Sequence, residues 1–459
     1  MNLIKTAWIS CLLVACSGND DPGSTVAAGS EPTWHQDVAP IFSENCSQCH
    51  APDGVAAFLD LTDYAAATPW APAIESAVSS GRMPPFLALP TDVCENSHGF
   101  QHDARLDDSE VDTIVAWVAG GALEGDASAA APLPSPLRGE LERVDEELVP
   151  LNGYTTQSSA VITDELICYV LDPQQDQTRW IEGLQVVPDN VAVVHHALIN
   201  LASRDAAAAA DAADGSTDGW YDCLGGVNVP GARLVGGWIP GGGPTEYPSG
   251  TGVEMGVDEV MVVQMHYHTL VDPQTDQTSV QVQWAPSEPE DVALVQLWGN
   301  ARNASQGLLP GPNDAADADF LIPAGATGHT ETSRHDLPIP EGIDVDVFMV
   351  APHMHYVGVD LRAWIEHADG TPGDCLVHVP AWDFDWQLLY FYDAAAGRAP
   401  TVRAGDKLVI ECTYDNSLDN PAVVSALEQS GLTAPTDVRI GEGSLDEMCL
   451  LGVGTVLRD

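Results

Sequence analysis

Apolar and polar positions follow two different rhythms along this chain, and the change falls near residue 140. Before it, in "LDDSEVDTIVAWVAGG", Val111, Ile114, Val115 and Val118 recur at the spacing that gathers them on one helix face. Asp108 or Ser109 is placed to cap that helix and Gly120-Gly121 to stop it. After it, short β-branched runs such as "ELICYVL", "VMVVQMHYH", "VDVFMV" and "KLVIECTY" alternate with Gly, Pro and Asp turns. That texture predicts an all-β sandwich or a pair of them. Between the two regions "ASAAAPLPSPLRG", 127–139, reads as an Ala/Pro linker. The pattern therefore predicts a small all-α domain over 31–126 and β domains from 140 onward, within a length sufficient for about three domains. The Ala/Asp stretch 203–216, "SRDAAAAADAADGS", is expected to be a surface loop insertion.

Charge narrows the function. Lys plus Arg total 16 against 68 Asp plus Glu, a formal net charge of −52, and the acids are dispersed rather than clustered. Such a surface repels nucleic acid and anionic lipid, which excludes a polyanion-binding role. The N-terminus, "MNLIKTAWISCLLVACSGNDD", has one Lys, a short apolar run and then "LVAC". It is too short to span a membrane and resembles a bacterial lipoprotein signal, with Cys16 as the acylated residue and Cys11 in the discarded 1–15 peptide. Residues 16–30 would then be a tether, and the protein exported and held at the cell envelope through its lipid alone. Export makes disulfides expected.

Two sets of residues carry redox chemistry. "NCSQCHAPDG" contains C-x-x-C-H, with Cys46 and Cys49 as the thiols that attach a c-type haem and His50 as its proximal ligand. Downstream, Met83 in "SSGRMPPF" is the expected second axial ligand, held on a stiff loop by Pro84 and Pro85. His98 and His102 are the rival ligands in more polar surroundings, and His35 is read as structural. The arrangement resembles cytochrome c modules over about 31–125.

Further on, histidines fall in three strand-like segments: His195-His196 in "NVAVVHHALINL", His266 and His268 in "VVQMHYHT", and His353 and His355 in "VAPHMHYVG". An H-x-H pair on a strand projects both rings to one face and can chelate an ion, whereas adjacent residues point to opposite faces. A shared role for His195 and His196 therefore requires a kink or bulge at 194–197. No closely spaced Cys flanks these histidines, which disfavours structural zinc and blue copper. "SLDEMCLLG" adds the thioether of Met448, and a thioether joining imidazoles favours copper.

The segments "VHHALIN", "VVQMHYH", "PHMH" and "DEMC" occur in the order seen in copper type II, ascorbate-dependent monooxygenases, the family of dopamine β-monooxygenase and peptidylglycine α-hydroxylating monooxygenase. The chain resembles that family over about 160–455, with support from "GGWIPGGGPTEYPSGTGVEM", "DFDWQLLYFY" and "CTYDNS". The resemblance implies two jelly-roll-like β-sandwiches, 140–310 and 311–459, with one copper each. His195, His196 and His266 would hold the first, and His353, His355 and Met448 the second. It further implies that dioxygen is activated at the Met-bearing copper, that the other copper supplies an electron across a solvent-filled cleft, and that a C–H bond is hydroxylated. No role follows for His268. The peptide-amidating member has an Arg and a Tyr where this chain has Ala351 and Gly452, which argues against peptide amidation.

By the same resemblance Cys412 pairs with Cys449, bracing Met448; Cys168 with Cys223 is expected as a second bridge, and Cys94 and Cys375 are left open. The expected function is a copper monooxygenase acting on a small or peptide-like organic substrate with O2, its electrons arriving from an external donor through the fused haem. The alternative is a haem/copper electron-transfer or copper-handling lipoprotein that turns nothing over.

Overall fold

The computed structural model describes residues 31–458 except 53, 97, 138, 158–163, 269–271, 301–306, 313, 315–316, 370, 372 and 393–398. The expected signal sequence and tether, with Cys11 and Cys16, lie outside the described residues. Described residues 31–129 are helical where regular, with helices Ala39–Asn45, Tyr64–Ala67, Ala71–Ser79 and Asp108–Ala119. The last begins one residue earlier than the pattern implied, because Asp107 rather than Asp108 or Ser109 is its cap. Its carboxylate accepts from the N–H groups of Ser109 and Glu110, and Glu110 accepts from the Asp107 N–H in return. This reciprocal pairing satisfies N–H groups that no helical carbonyl reaches, and such a cap is worth about 1 kcal/mol. Trp34, Phe42, Ile114 and Trp117 form the centre of a small core, with Phe42 edge-on to both indoles. The Ala/Pro segment lies back along these helices: Ala131 donates to the His35 carbonyl and Leu137 to that of Glu44.

From residue 146 on the fold is almost entirely β. A ten-stranded sheet forms a common floor, and two smaller sheets sit on its two halves. Over the first half lies a five-stranded sheet in the order Trp220–Asp222, Asp164–Leu171, Glu259–His268, Val194–Ser203, Arg233–Trp238. Over the second half lies a four-stranded sheet in the order Thr327–Asp336, Lys407–Asp415, Gly358–Glu366, Cys375–Val379. Period-two alternation explains both layers. Val263, Met265 and Tyr267 face inward from one strand to meet Val280 and Val282 of the floor, and Leu361 and Ala363 likewise meet Leu451 and Val453.

The floor is continuous across the expected boundary near residue 310. Strand Cys449–Arg458 pairs on one side with Asp291–Asn300 and on the other with Asp344–His353. The Ala/Asp stretch is a helix rather than a loop, Arg204–Asp211, capped by the Ser203 side chain. Its alanines favour helix, and buried Ala207 seals the outer apolar face formed by Val260 and Val262.

Three disulfides join six of the eight described cysteines: Cys168–Cys223, Cys412–Cys449 and Cys94–Cys375. The third settles the two cysteines that spacing left open, and it belongs to a strap. After Met83 the chain leaves the helices and crosses the second half of the β region. Phe86 is buried there against Tyr390, Phe100 stacks on Tyr392, Leu89 donates to the His378 carbonyl and Gln101 to that of Phe391. Burying Phe86 alone contributes roughly 1.5–3 kcal/mol to this docking. Among the described residues no helix is long and apolar enough to cross a membrane.

Candidate metal centres

The ladder between Val194–Ser203 and Glu259–His268 slips at the histidines. His266 pairs with His196, but Tyr267 pairs with Val194, so His195 is an extra residue on its strand. This bulge returns Val194 to the inner face beside Tyr267 and lets both neighbouring imidazoles leave from the outer side. Nitrogen atoms of His195, His196 and His266 all come within 4.8 Å of one another. The Nδ1 atoms of His195 and His196 are 3.1 Å apart. Two nitrogens each about 2.0–2.1 Å from one ion would have that separation at an angle near 100°.

Asp164 decides which nitrogen of His266 is free. Its Oδ1 accepts from His266 Nε2 at 2.9 Å and lies 3.2 Å from His268 Nε2, while its Oδ2 accepts from the Ser444 N–H at 3.0 Å. With Nε2 engaged, His266 offers Nδ1. A carboxylate behind a ligand histidine fixes the tautomer and raises its basicity. Burial works to raise the Asp164 carboxyl, but hydrogen bonds from His266 and His268 outweigh it and hold it well below the usual carboxylate range. His268 also stacks on His195, with ring centroids 4.1 Å apart and planes 13° from parallel. It therefore belongs to this group as a packing partner of His195 beside the carboxylate that holds His266.

The second group uses the opposite nitrogens. His353 ends the strand Asp344–His353, and its Nδ1 pairs with Gln387 Oε1 at 2.6 Å. His355 Nδ1 pairs with the Asp446 carbonyl at 3.2 Å. Both rings thus keep Nε2 available, and both line a cavity of about 310 Å³ together with Met448, His196 and His266. Met448 directly precedes the strand that the Cys412–Cys449 disulfide staples to the four-stranded sheet, so its backbone is anchored from behind.

Burial lowers all five of these imidazoles, His353 to about 4 and His355 to about 3, so at neutral pH they are the uncharged donors a metal requires. Sequence reasoning did not single out Glu447. It is wholly buried, its Oε1 accepts from the N–H groups of His355 and Met448, and burial pushes its carboxyl up to about 8. The signal was the acid next to Met448 in "DEMC". The two groups are also closer than a solvent-filled cleft between them implies, since the His196 and His353 ring centroids are 6.1 Å apart.

A third site lies in the helical region. An apolar slot of about 240 Å³ is lined by Cys46, Cys49, His50 and Met83, with Leu59, Ile74 and Trp386 among its walls. Cys46 and Cys49 are not disulfide-bonded. The Leu59 carbonyl lies 3.1 Å from His50 Nδ1, which leaves Nε2 for a ligand. Thiols, imidazole and thioether around an apolar slot fit a covalently held haem with His and Met axial ligands. The rivals His98 and His102 do not line the slot: His98 sits edge-on to Tyr392 and His102 lines a separate cavity beside Trp238. His35 lies 3.6 Å from Glu124, away from the slot walls.

No family model matches the chain. Among solved structures it is similar to the major capsid protein P2 of bacteriophage PM2, at 9% identity over 68% of this chain and 98% of that one, with a TM-score of 0.23. It is also similar to the infectious bursal disease virus Gx strain, at 12% identity over 72% and 75% of the two chains, TM-score 0.18. A third is the N-terminal CBM22-1-CBM22-2 tandem domain of Paenibacillus barcinonensis Xyn10C, at 10% identity over 67% and 83%, TM-score 0.16. Likenesses this slight bear on neither fold family nor function, so the reading of the site rests on its own geometry.

Proposed function

We propose that this protein is a copper-dependent monooxygenase of the copper type II kind, fused to a c-type cytochrome module over the helical region. The observation that carries the reading is the sorting of nitrogens: Nδ1 atoms converge in the first group, and Nε2 atoms beside a thioether are left in the second, around one cavity. His195, His196 and His266 would hold one copper and His353, His355 and Met448 the other. Bound there, copper would supply one-electron redox chemistry and the activation of dioxygen for hydroxylation of a C–H bond.

The chain's own residues do the rest. Asp164 and Gln387 hold ligand rings in one tautomer. Glu447 ties the backbones of His355 and Met448 to one carboxylate oxygen. Leu198, Leu234, Val295 and Leu389 give the cavity a largely apolar wall. Among the described residues the wall has no Lys or Arg, and Glu442 is its acid, which suits a neutral or cationic, largely apolar small molecule. Ala351 and Gly452 are paired across the ladder and both face this cavity, so two small residues widen it where a larger pair would anchor an anionic group.

Electron paramagnetic resonance with metal analysis tests the reading. Two type 2 coppers per haem, with one lost in Met448→Ala, are expected; a single metal, or zinc, overturns it. Substrate-stimulated oxygen uptake then separates a monooxygenase from a haem/copper electron carrier.

A further inference from the structure

One short segment touches all three sites. Trp386 forms part of the wall of the slot that carries Cys46, Cys49, His50 and Met83. The next residue, Gln387, is buried, and its Oε1 lies 2.6 Å from His353 Nδ1. Gln387 Nε2 donates in turn to the Phe384 carbonyl at 2.9 Å. The buried Phe384 ring stacks on His195 at 4.9 Å between centroids, with planes 21° apart. The segment is held in place: Trp382 Nε1 donates to the His355 carbonyl at 3.2 Å, and the Trp386 N–H to the Asp383 carbonyl at 3.0 Å.

We propose that residues 384–387, through Trp386 and Gln387, form the electron bridge from the haem slot to the second metal group. This rests on the haem and copper reading above and adds the route and its direction. Tunnelling weakens steeply with distance and is better carried through bonds than across gaps. From the Trp386 ring the path runs one peptide unit to Gln387 and then across one hydrogen bond to a ligand ring. The strap and the Cys94–Cys375 bridge fix the slot against the β region, so the path does not depend on a transient encounter. Each transfer oxidises one ferrous haem to ferric and reduces one Cu(II) to Cu(I), with no bond or proton exchanged. Two transfers meet the two-electron requirement of hydroxylation once one electron passes from the second group to the first, whose His196 ring centroid lies 6.1 Å from that of His353, the haem being re-reduced each time by the external donor. A rival route begins at Cys49, whose sulfur lies 2.6 Å from where a side chain on Gly241 would start, and leads through the loop after strand Arg233–Trp238.

The full chain, loaded with haem and Cu(II), is photoreduced at the haem without oxygen. Reoxidation is followed by the haem absorbance and by loss of the Cu(II) resonance signal. Trp386→Leu and Gln387→Leu are expected to slow reoxidation severalfold in protein whose haem and Cu(II) content match the wild type, with the haem potential and Cu(II) resonance signal recorded for each variant, while Trp386→Phe recovers most of the rate. Unaltered rates in both leucine variants, fully loaded, overturn the bridge and favour the Gly241 route. Wild-type protein that holds no haem or no copper overturns the bridge together with the function it rests on.

Discussion

Asp164→Asn tests how the first metal group is held. Asp164 accepts from His266 Nε2 at 2.9 Å and lies 3.2 Å from His268 Nε2. Asparagine keeps the shape and can still accept from His266 through its amide oxygen, so the tautomer of His266 survives, while the charge and the acceptor for the Ser444 N–H are lost. A hydrogen bond to a charged group contributes about 1.5–3 kcal/mol against about 0.5–1.5 for a neutral one, a difference near 1–1.5 kcal/mol. That predicts copper binding weakened about tenfold in Asp164→Asn. Asp164→Ala removes the bond entirely and should approach a 100-fold loss, the upper end of what such supporting residues contribute. The measurement is a Cu(II) titration against a competing chelator in a His353→Ala, His355→Ala background, where the first group remains alone. Wild-type affinity in both Asp164 variants would refute the idea that this carboxylate orients His266.

Replacing Cys94 and Cys375 by Ala opens a loop of 281 residues and should lower stability by at most about 5 kcal/mol, read as an earlier calorimetric transition. An unchanged transition would mean that the strap's aromatic packing alone secures it. Gly452→Leu places a side chain against Ala351, whose Cβ lies 3.1 Å from the added Cβ position, and narrows the cavity. It should raise KM for an accepted substrate with copper content intact; an unaltered KM would remove this wall from the binding site. Burial lifts the Glu331 carboxyl above its ordinary value despite the hydrogen bond from His329, so the folded state keeps its proton longer than the unfolded one. Stability therefore falls as pH rises from about 4.5 through the raised value, and Glu331→Gln should flatten that fall in melts compared at pH 5 and 8.

The β region and the histidine segments that line the candidate site were legible because each depends on local pattern. Alternation in "VMVVQMHYH" marks a half-buried strand, and the family resemblance, which gives two adjacent histidines one role against strand geometry, set the expectation of the bulge that the ladder contains at His195. What escaped the sequence depends on long-range pairing. Cys94 could not be matched with Cys375 because spacing carries no connectivity. The strap after Met83 has no period, since it is held by aromatic contacts to Tyr390 and Tyr392 rather than by a ladder. Asp164 looked like any strand-end acid until folding set it behind His266, which is 102 residues away. Trp386 was one aromatic among several in "DFDWQLLYFY".

The long reach of the Cys94–Cys375 bridge bears on how the molecule is made. A chain entering an oxidising compartment from its N-terminus presents Cys46, Cys49 and Cys94 well before Cys375 arrives. During that interval the nearest thiols for Cys94 are the two of the slot, and thiol–disulfide exchange among them would trap a wrong loop. If the slot takes haem as proposed, attaching it to Cys46 and Cys49 first would remove both from exchange and leave Cys94 to wait for its own partner. Under that reading maturation would have an order, cofactor before clasp, and chains that missed the first step would be diverted before the second could close on them.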